Sequence, residues 1–407
     1  MKKIGVLGAG TIGMSLARML YNSGHDVLVW SAVEAELVAC ETTRKHKNLP
    51  GMVIPDGVRF TRSLEEVCTD KDVLMFAIPS VFIRSTAAKA RDYIVDGQII
   101  ADVGKGVEES TFMTMSQILE DELNKDGKHG NVKVVALSGP THAEEIALDM
   151  PTTIVAASED MDAAKYVQDV FTNTCMRVYT NADVIGVELC GAMKNVIALA
   201  CGIANGIGCG DNAKAALITR GMAEISRLGT KMGCMEQTFT GLAGIGDLIV
   251  TATSMHSRNN RCGNLIGQGK SVEEAVKEVG QVVEGLNALP AAMALSKKYD
   301  VEMPITMALD SIVNHGANPI DVVEMPDGIY TTIDNTRVVS AREAGINVKA
   351  NVHGYNDILP EEYIERFTTK KGVPVTWGDA ISLRVGKQKA SFRNSNPFGA
   401  FDMDTIK

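Results

Sequence analysis

The chain has 407 residues, 45% of them hydrophobic and 22% charged, and 40 basic side chains stand against 50 acidic ones for a formal charge of −10. That length suits about two or three domains with buried cores. The acid excess argues against nucleic-acid binding by the body of the chain, because phosphate neutralisation needs clustered Lys and Arg. The absence of an uninterrupted apolar run of about 18 residues argues against a membrane span.

In chain order, Ile4-Gly5-Val6-Leu7 reads as a buried strand, and the charged Met1-Lys2-Lys3 start meets glycines instead of the apolar core of a signal peptide. Gly8-x-Gly10-x-x-Gly13 follows, opening a helix with Met14, Leu16, Ala17 and Leu20 on its apolar face. Val27–Trp30 completes a β-α-β unit. In such a loop the first glycine permits a tight turn, the second lets a pyrophosphate approach the backbone, and the third lets helix and strand pack closely. The helix N-terminus then faces the phosphates. This pattern points to a dinucleotide, NAD or NADP. Trp30-Ser31-Ala32-Val33-Glu34 offers neither an early carboxylate for ribose hydroxyls nor an Arg for a 2′-phosphate, and Glu34 tilts the reading toward NAD.

Further strands are expected at Val73–Ile78, Ile99–Val103, Val132–Leu137 and Thr153–Ala157, alternating with helices as in a mostly parallel, doubly wound sheet. From about residue 184 the strand signals stop, and helical spacing takes over at Val184–Ala204, Ala213–Met232, Ser271–Val279, Ala288–Lys298 and Ile305–Asn314. The expected plan is an α/β domain over residues 1–183, a helical domain over 184–325, and a small α+β extension over 326–407. The last 82 residues carry 11 basic and 10 acidic side chains and 8 of the 20 aromatics, but none of the 8 cysteines. The cysteines show no CxxC pairing and read as small core residues in a reducing, cytoplasmic compartment. No metal-ligand spacing is evident.

Several polar residues sit where chemistry is expected. Lys194 lies within the apolar run Leu189–Ala200, where an ammonium must be paired or functional and where burial lowers its pKa toward the range useful for proton transfer. Lys105, between Gly104 and Gly106, follows a strand's carboxyl end, the usual ligand position in open α/β sheets. Asp247 enters an apolar run from the small-residue loop Gly241–Gly246. Ser257 reads as an N-cap with Arg258 at the helix start, a natural phosphate cradle. Thr141-His142-Ala143-Glu144 after Gly139-Pro140 reads as a capping box, with His142 structural.

Taken together, the order of these motifs resembles the bacterial NAD(P)-dependent glycerol-3-phosphate dehydrogenases. The resemblance rests on Gly8–Gly13, Ile78-Pro79-Ser80, Gly104-Lys105-Gly106, Leu137–Thr141, Lys194-Asn195-Val196, Gly208–Arg220, Gly241–Ser257 with Arg258-Asn259, and Val283-Glu284-Gly285, over about residues 1–325. It implies a Rossmann domain followed by an all-helical domain, and a homodimer. The implied reaction is reversible reduction of dihydroxyacetone phosphate to sn-glycerol 3-phosphate, which feeds glycerophospholipid synthesis. By the same resemblance, Lys194 exchanges the proton on the substrate's C2 oxygen, with Lys105 and Asp247 completing the polar cluster. Gly139, Thr141, Ser257, Arg258 and Asn259 match substrate-binding positions. Gly8, Gly10, Thr11, Ile12, Gly13, Pro79, Lys105, Ala143, Arg258, Val282 and Glu284 match cofactor-binding ones.

Three departures stand out. Thr11-Ile12 replaces the commoner Ser-Trp, Thr141-His142 replaces Ser-Phe, and Ser31-Ala32 replaces the Gly-Arg that usually follows the second strand's Trp. Another Rossmann-plus-helical dehydrogenase, of the β-hydroxyacid or 6-phosphogluconate type, is the alternative, and Ser257-Arg258-Asn259 after Asp247 speaks against it. In the extension, Asp334–Arg337 faintly resembles the Asp-x-x-Arg segment of ParB-like and sulfiredoxin-like domains and the C-terminal modules of bacterial polymorphic toxins. Arg337, His353 and Trp377 are its candidate site residues, with a separate effector or interaction role as the alternative function.

Overall fold

Eight strands form one sheet in the order β3-β2-β1-β4-β5-β6-β7-β8. They are β1 (Lys3–Leu7), β2 (Asp26–Trp30), β3 (Arg59–Thr61), β4 (Val73–Phe76), β5 (Ile99–Asp102), β6 (Lys133–Ser138), β7 (Thr152–Ala157) and β8 (Met176–Asn181). Every pairing is parallel except β6 with β7. The strand order reverses at β1, so the loops after β1 and β4 border the crevice where such sheets bind ligands. This computed structural model describes residues 1–315, 320–324, 330–332, 350–369 and 372–385.

Both faces of the sheet are covered, which is why β1 and β4 read as near-continuous apolar runs. One face packs Ile4, Val6 and Met75 against Met14, Leu16 and Leu20 of α1 (Thr11–Asn22). The other packs Leu7, Leu74 and Phe76 against Ile83 and Ala87 of the helix Ile83–Ala90 and Ile118 and Leu119 of the helix Met115–Leu123. Two strands of this sheet escaped the sequence reading. β3 is three residues long at the sheet edge, and β8, at the opposite edge, alternates buried and exposed residues only over its first half.

The helical half is built around α2 (Val184–Gly206), of whose 23 residues 19 are buried. A helix apolar all round belongs in a core. Among the described residues it is the one helix long and apolar enough to cross a membrane, and its burial among other helices accounts for that composition. Asp183 starts it, its side chain accepting the Gly186 N–H at 3.0 Å.

Packed on α2 are α3 (Asp211–Lys231), α4 (Asp247–Thr253), α5 (Arg258–Gly267) and α7 (Glu284–Tyr299); α6 (Val272–Val279) packs on α5, and α8 (Pro304–His315) follows α7 in the chain. The α2–α5 contact is made by glycines on both sides. A Cβ on Gly202 would lie 2.2 Å from the Asn260 carbonyl oxygen, and one on Gly263 would lie 2.1 Å from that of Leu199. The two backbones therefore touch, which fixes the first half of α5 against the C-terminal third of α2.

The chain divides into two compact units, residues 1–310 and 311–407. β9 (Ile320–Glu324) pairs antiparallel with β10 (Tyr330–Thr332) and parallel with β11 (Ala350–Gly354). In the second unit Trp377, Phe367, Leu359, Ala380 and Ile381 form a small core, and the His353 ring stacks on Trp377 with centroids 4.2 Å apart. Trp377 is thus a core residue there. Asp334–Arg337 lies outside the described residues. All eight cysteines are free thiols.

The glycine contact generates a stability prediction. Gly263→Val should destabilise the fold by about 3 kcal/mol or more, the upper range for overpacking, because the obstruction is backbone and cannot swing away. Urea unfolding measures it, and an unchanged midpoint would contradict the packing described.

Candidate active site

The glycine loop meets the demands of a pyrophosphate. Gly8 has φ +123°, and a Cβ there would strike the Ala77 carbonyl oxygen at 2.3 Å. Gly13 abuts the Gly8 carbonyl in the same way, at 2.1 Å. Gly10 differs, for nothing lies within 4 Å of where its Cβ would be. Two glycines bring strand and helix together, and the third leaves open space over the N-terminus of α1. The residues present therefore fit a dinucleotide phosphate.

That space opens into a cavity of about 850 Å³. Gly8, Gly10, Thr11, Ile12 and Pro79 line it at the sheet end, and Ala143, Val282 and Glu284 also face it. Gly13 and Gly139 do not. Gly13 is covered by Gly8, and Gly139 contributes its carbonyl oxygen, which accepts from Lys105 Nζ at 3.2 Å and from Thr141 Oγ1 at 3.1 Å. The expected capping box at Thr141 is absent. His142 is the N-cap of the short helix Ala143–Ile146 and makes no side-chain cap, because the Thr141 hydroxyl turns back to Gly139. His142 lies against the Val250 carbonyl oxygen through Nε2 at 3.3 Å, and burial lowers its pKa.

At the junction of sheet and helices, one carboxylate is shared by two ammonium groups. Lys194 Nζ donates to Asp247 Oδ1 at 2.5 Å and to Thr251 Oγ1 at 2.7 Å, while Lys105 Nζ donates to Asp247 Oδ2 at 2.7 Å. Lys194 is 5% exposed and Asp247 1%. Burial drives the Lys194 pKa down to about 7, with Asp247 opposing the fall and Lys105 adding to it. Burial also acts to raise the Asp247 pKa, but Lys105 and Lys194 outweigh it and hold the carboxyl below its usual range. Three charged groups separated by 142 residues in sequence thus meet as one cluster with an excess of positive charge.

The surroundings hold this cluster in place. Asp102, at the end of β5, accepts the Gly104 N–H at 3.2 Å just before Lys105. Burial, reinforced by nearby Glu188, pushes its carboxyl up to about 8. It is therefore mostly uncharged at neutral pH and leaves Asp247 as the anionic partner of Lys105. Gly191 lets the Lys105 stem pass α2, since a Cβ there would meet Lys105 Cγ at 3.4 Å and Ser138 Oγ at 2.9 Å.

The start of α5 completes the site. Ser257 is its N-cap, the hydroxyl accepting the Asn260 N–H at 3.2 Å. Arg258 lines the cavity, and its guanidinium makes no hydrogen bond or ion pair among the described residues. Burial lowers its pKa, opposed by Glu284 and Glu144. Asn259 also lines the cavity, yet its carboxamide donates to Asn195 Oδ1 at 2.9 Å and accepts the Gly285 N–H at 2.8 Å. It clamps the start of α7 to the middle of α2. Glu284 is tied across the cleft, its carboxylate accepting the Ser80 hydroxyl at 2.6 Å.

Ser80 and Asn195 entered the sequence reading only within the segments Ile78-Pro79-Ser80 and Lys194-Asn195-Val196, with no role given, and Thr251 was not named. Thr251 left a signal, a hydroxyl four positions after Asp247 and so on the same face of its helix. A buried shared carboxylate, an unpaired guanidinium at a helix start and an open glycine loop, all on one cavity, suit reduction of a small phosphorylated carbonyl compound.

Comparison with known proteins agrees. The family model for the NAD-dependent glycerol-3-phosphate dehydrogenase N-terminus matches residues 3–164, and that for the C-terminus matches residues 183–324. Glycerol-3-phosphate dehydrogenase (NAD(P)+) 2 of Lactobacillus delbrueckii subsp. bulgaricus is 65% identical over 324 residues, 80% of this chain and 96% of that protein. The glycerol-3-phosphate dehydrogenase (NAD(P)+) of Bacillus subtilis is 48% identical over 327 residues, 80% of this chain and 93% of that one. The crystal structure of glycerol-3-phosphate dehydrogenase from Coxiella burnetii superposes with a TM-score of 0.73 at 33% identity, covering 77% of this chain and 95% of that chain. The shared cluster, the glycine loop and the start of α5 all fall within the matched residues, and the chain belongs to the NAD(P)-dependent glycerol-3-phosphate dehydrogenase family.

Proposed function

We propose that the chain catalyses the reversible reduction of dihydroxyacetone phosphate to sn-glycerol 3-phosphate with NADH or NADPH. The observation that carries this reading is Lys194, a buried ammonium with a pKa lowered to about 7, held by Asp247 on the cavity that also contains Arg258 and the glycine loop. When bound, a nicotinamide dinucleotide supplies the hydride exchanged with the substrate's C2 carbon. Gly8, Gly10, Thr11, Ile12 and Pro79 would hold its phosphates and ribose, with Gly13 shaping the loop and Lys105, Ala143, Arg258, Val282 and Glu284 bordering its path.

In the direction of reduction, Lys194 Nζ gives a proton to the C2 oxygen as negative charge gathers there; in oxidation it takes that proton back. Lys105, which shares Asp247 with Lys194, borders the same oxygen position and helps stabilise the developing alkoxide. Asp247 orients both amines through separate oxygens. Arg258 and the free N–H groups at the start of α5 suit the substrate phosphate, with the Thr141 and Ser257 hydroxyls and the Gly139 carbonyl shaping the pocket around Lys105 and Asn259 fixing the α5–α7 corner. A homodimer in the cytoplasm is part of the same reading, and the eight free cysteines suit a reducing compartment. Light scattering should give twice the 43.6 kDa chain mass, and a monomer at micromolar concentration would refute the dimer.

Lys194→Ala should abolish oxidation of NADH driven by dihydroxyacetone phosphate while NADH still binds; near-normal turnover would exclude the assignment. The pH dependence has a definite sign. Below about 7 Lys194 is charged and able to donate, so kcat/KM for reduction should fall as pH rises through about 7, and kcat/KM for glycerol 3-phosphate oxidation should rise over the same interval. Asp247→Asn removes the anion that favours the charged amine. It should move the falling limb to lower pH and cut kcat by about a hundredfold; a limb that stays in place would show that Asp247 does not set the Lys194 pKa. Arg258→Ala should raise KM for dihydroxyacetone phosphate by about tenfold or more and lower kcat less, since it removes phosphate binding. An unchanged KM would remove Arg258 from the phosphate site.

A further inference from the structure

Of the 23 residues of α2 only two are charged, Glu188 and Lys194, placed three residues either side of Gly191. Residues three apart are neighbours on a helix surface, and the ends of this stripe lie about 9 Å apart along the axis. Lys194 meets Asp247, and the Lys105 stem passes Gly191. Glu188, at the other end, turns to Ser116.

Glu188 is 4% exposed. Its Oε1 accepts the Ser116 N–H at 2.8 Å, and its Oε2 accepts the Ser116 hydroxyl at 2.5 Å. Two accepting oxygens suit an ionised carboxylate. Ser116 is the second residue of the helix Met115–Leu123, whose N-cap is Thr114. The grip therefore satisfies an open N–H at a helix start, where negative charge is favoured. Burying an anion is costly all the same, and a contact needed only for the fold could be apolar.

Ser116 ends the segment that carries Lys105. Val107 pairs with Thr114 across an antiparallel bridge, so the loop between them closes two residues before Ser116. Arg84, on the helix Ile83–Ala90, holds this loop, Nε and Nη2 donating to the two Glu108 oxygens at 2.8 Å each. That fork ties the loop to the sheet half, whereas Glu188 ties the segment to the helix that bears Lys194. Keeping Lys105 Nζ on Asp247 already removes side-chain freedom, and a loose backbone beneath it would add to the loss.

We propose that Glu188 is a positioning residue for the reaction: its grip on Ser116 sets the Lys105 segment in register along α2, so that Lys105 and Lys194 meet the two oxygens of Asp247. The inference deepens the proposed reaction, on which its kinetic readouts rest.

The direction of the effect on Lys194 separates positioning from charge. Lys194 faces Asp247 from α4, Lys105 from the loop after β5 and His142 from the loop after β6. Glu188 itself acts on Asp102 of β5 and on Glu120 of the helix Met115–Leu123, raising both. If loss of Glu188 lets Lys105 withdraw, a positive neighbour leaves and the Lys194 pKa rises. Loss of the Glu188 charge acting directly on Lys194 would lower it.

Nuclear magnetic resonance of ε-carbon-labelled lysine in the full chain gives the Lys194 midpoint without substrate, and kcat and KM are measured with dihydroxyacetone phosphate and NADH. In Glu188→Ala the midpoint should rise from about 7 by about half a pH unit or more. There kcat should fall about tenfold or more, with KM changed by less than about threefold. Glu188→Gln can still accept the N–H and meet the hydroxyl, and should recover both values to within about threefold. Lys105→Ala should reproduce the rise, and adding Glu188→Ala to it should move neither midpoint nor kcat further. Should Glu188→Ala not fold, Ser116→Ala, which removes one of the two bonds, carries the same readings with a smaller shift.

A midpoint that stays or falls on loss of the grip would overturn the proposal, as would a further loss of kcat on the Lys105→Ala background. If the midpoint rises as expected but the wild type reduces no dihydroxyacetone phosphate, the proposed reaction fails and the positioning stands. If the wild type reduces it and the midpoint does not rise, the positioning fails and the reaction stands.

Discussion

Lys105 and Lys194 share the two oxygens of Asp247 at the boundary between the sheet and the helical half, and the geometry of the site depends on that sharing. Each of the three groups would be costly to bury alone, and pairing offsets only part of the cost. One positive charge is left over beside a cavity. It favours an anionic partner, and it lowers the Lys194 pKa by adding like charge to a site already short of water. The arrangement favours charge that arrives with a phosphate or develops on a carbonyl oxygen. A pair closed on itself would not.

Much of the fold exists to bring these groups together. β5 delivers Lys105 from its carboxyl end, with the Gly104 N–H held by a carboxyl that burial keeps largely neutral. α2 delivers Lys194 from its middle, and its glycines let α5 approach until backbones touch, which sets the start of α5 beside the cluster. Asn259, Asn195 and the Gly285 N–H then lock α5, α2 and α7 at one corner. A substitution at the glycine contact should therefore disturb the site as well as stability, although no glycine there touches the cavity.

The reading of the sequence succeeded where physics leaves a local trace. A lysine inside an apolar run is conspicuous, and so are a strand–GxGxxG–helix unit and a serine followed by arginine at a helix start; the structure places all three on one cavity. What was missed is set by long-range contacts. The edge strands β3 and β8 are short or only half patterned, so pairing creates them more than composition does. Thr141 looked like a cap but turns toward Gly139, a choice made by the packing of that loop.

The central claim is that a buried lysine titrates near neutrality because of its surroundings, and it can be observed directly. Proteins grown with lysine labelled at the ε-carbon can be followed by nuclear magnetic resonance from pH 5 to 10, in wild type and in Lys194→Ala. The account predicts one lysine signal that moves with a midpoint near 7 and is missing from the variant. If every lysine signal titrates near the ordinary value of about 10.4, Lys194 is not the tuned proton donor described and the account of the site is contradicted.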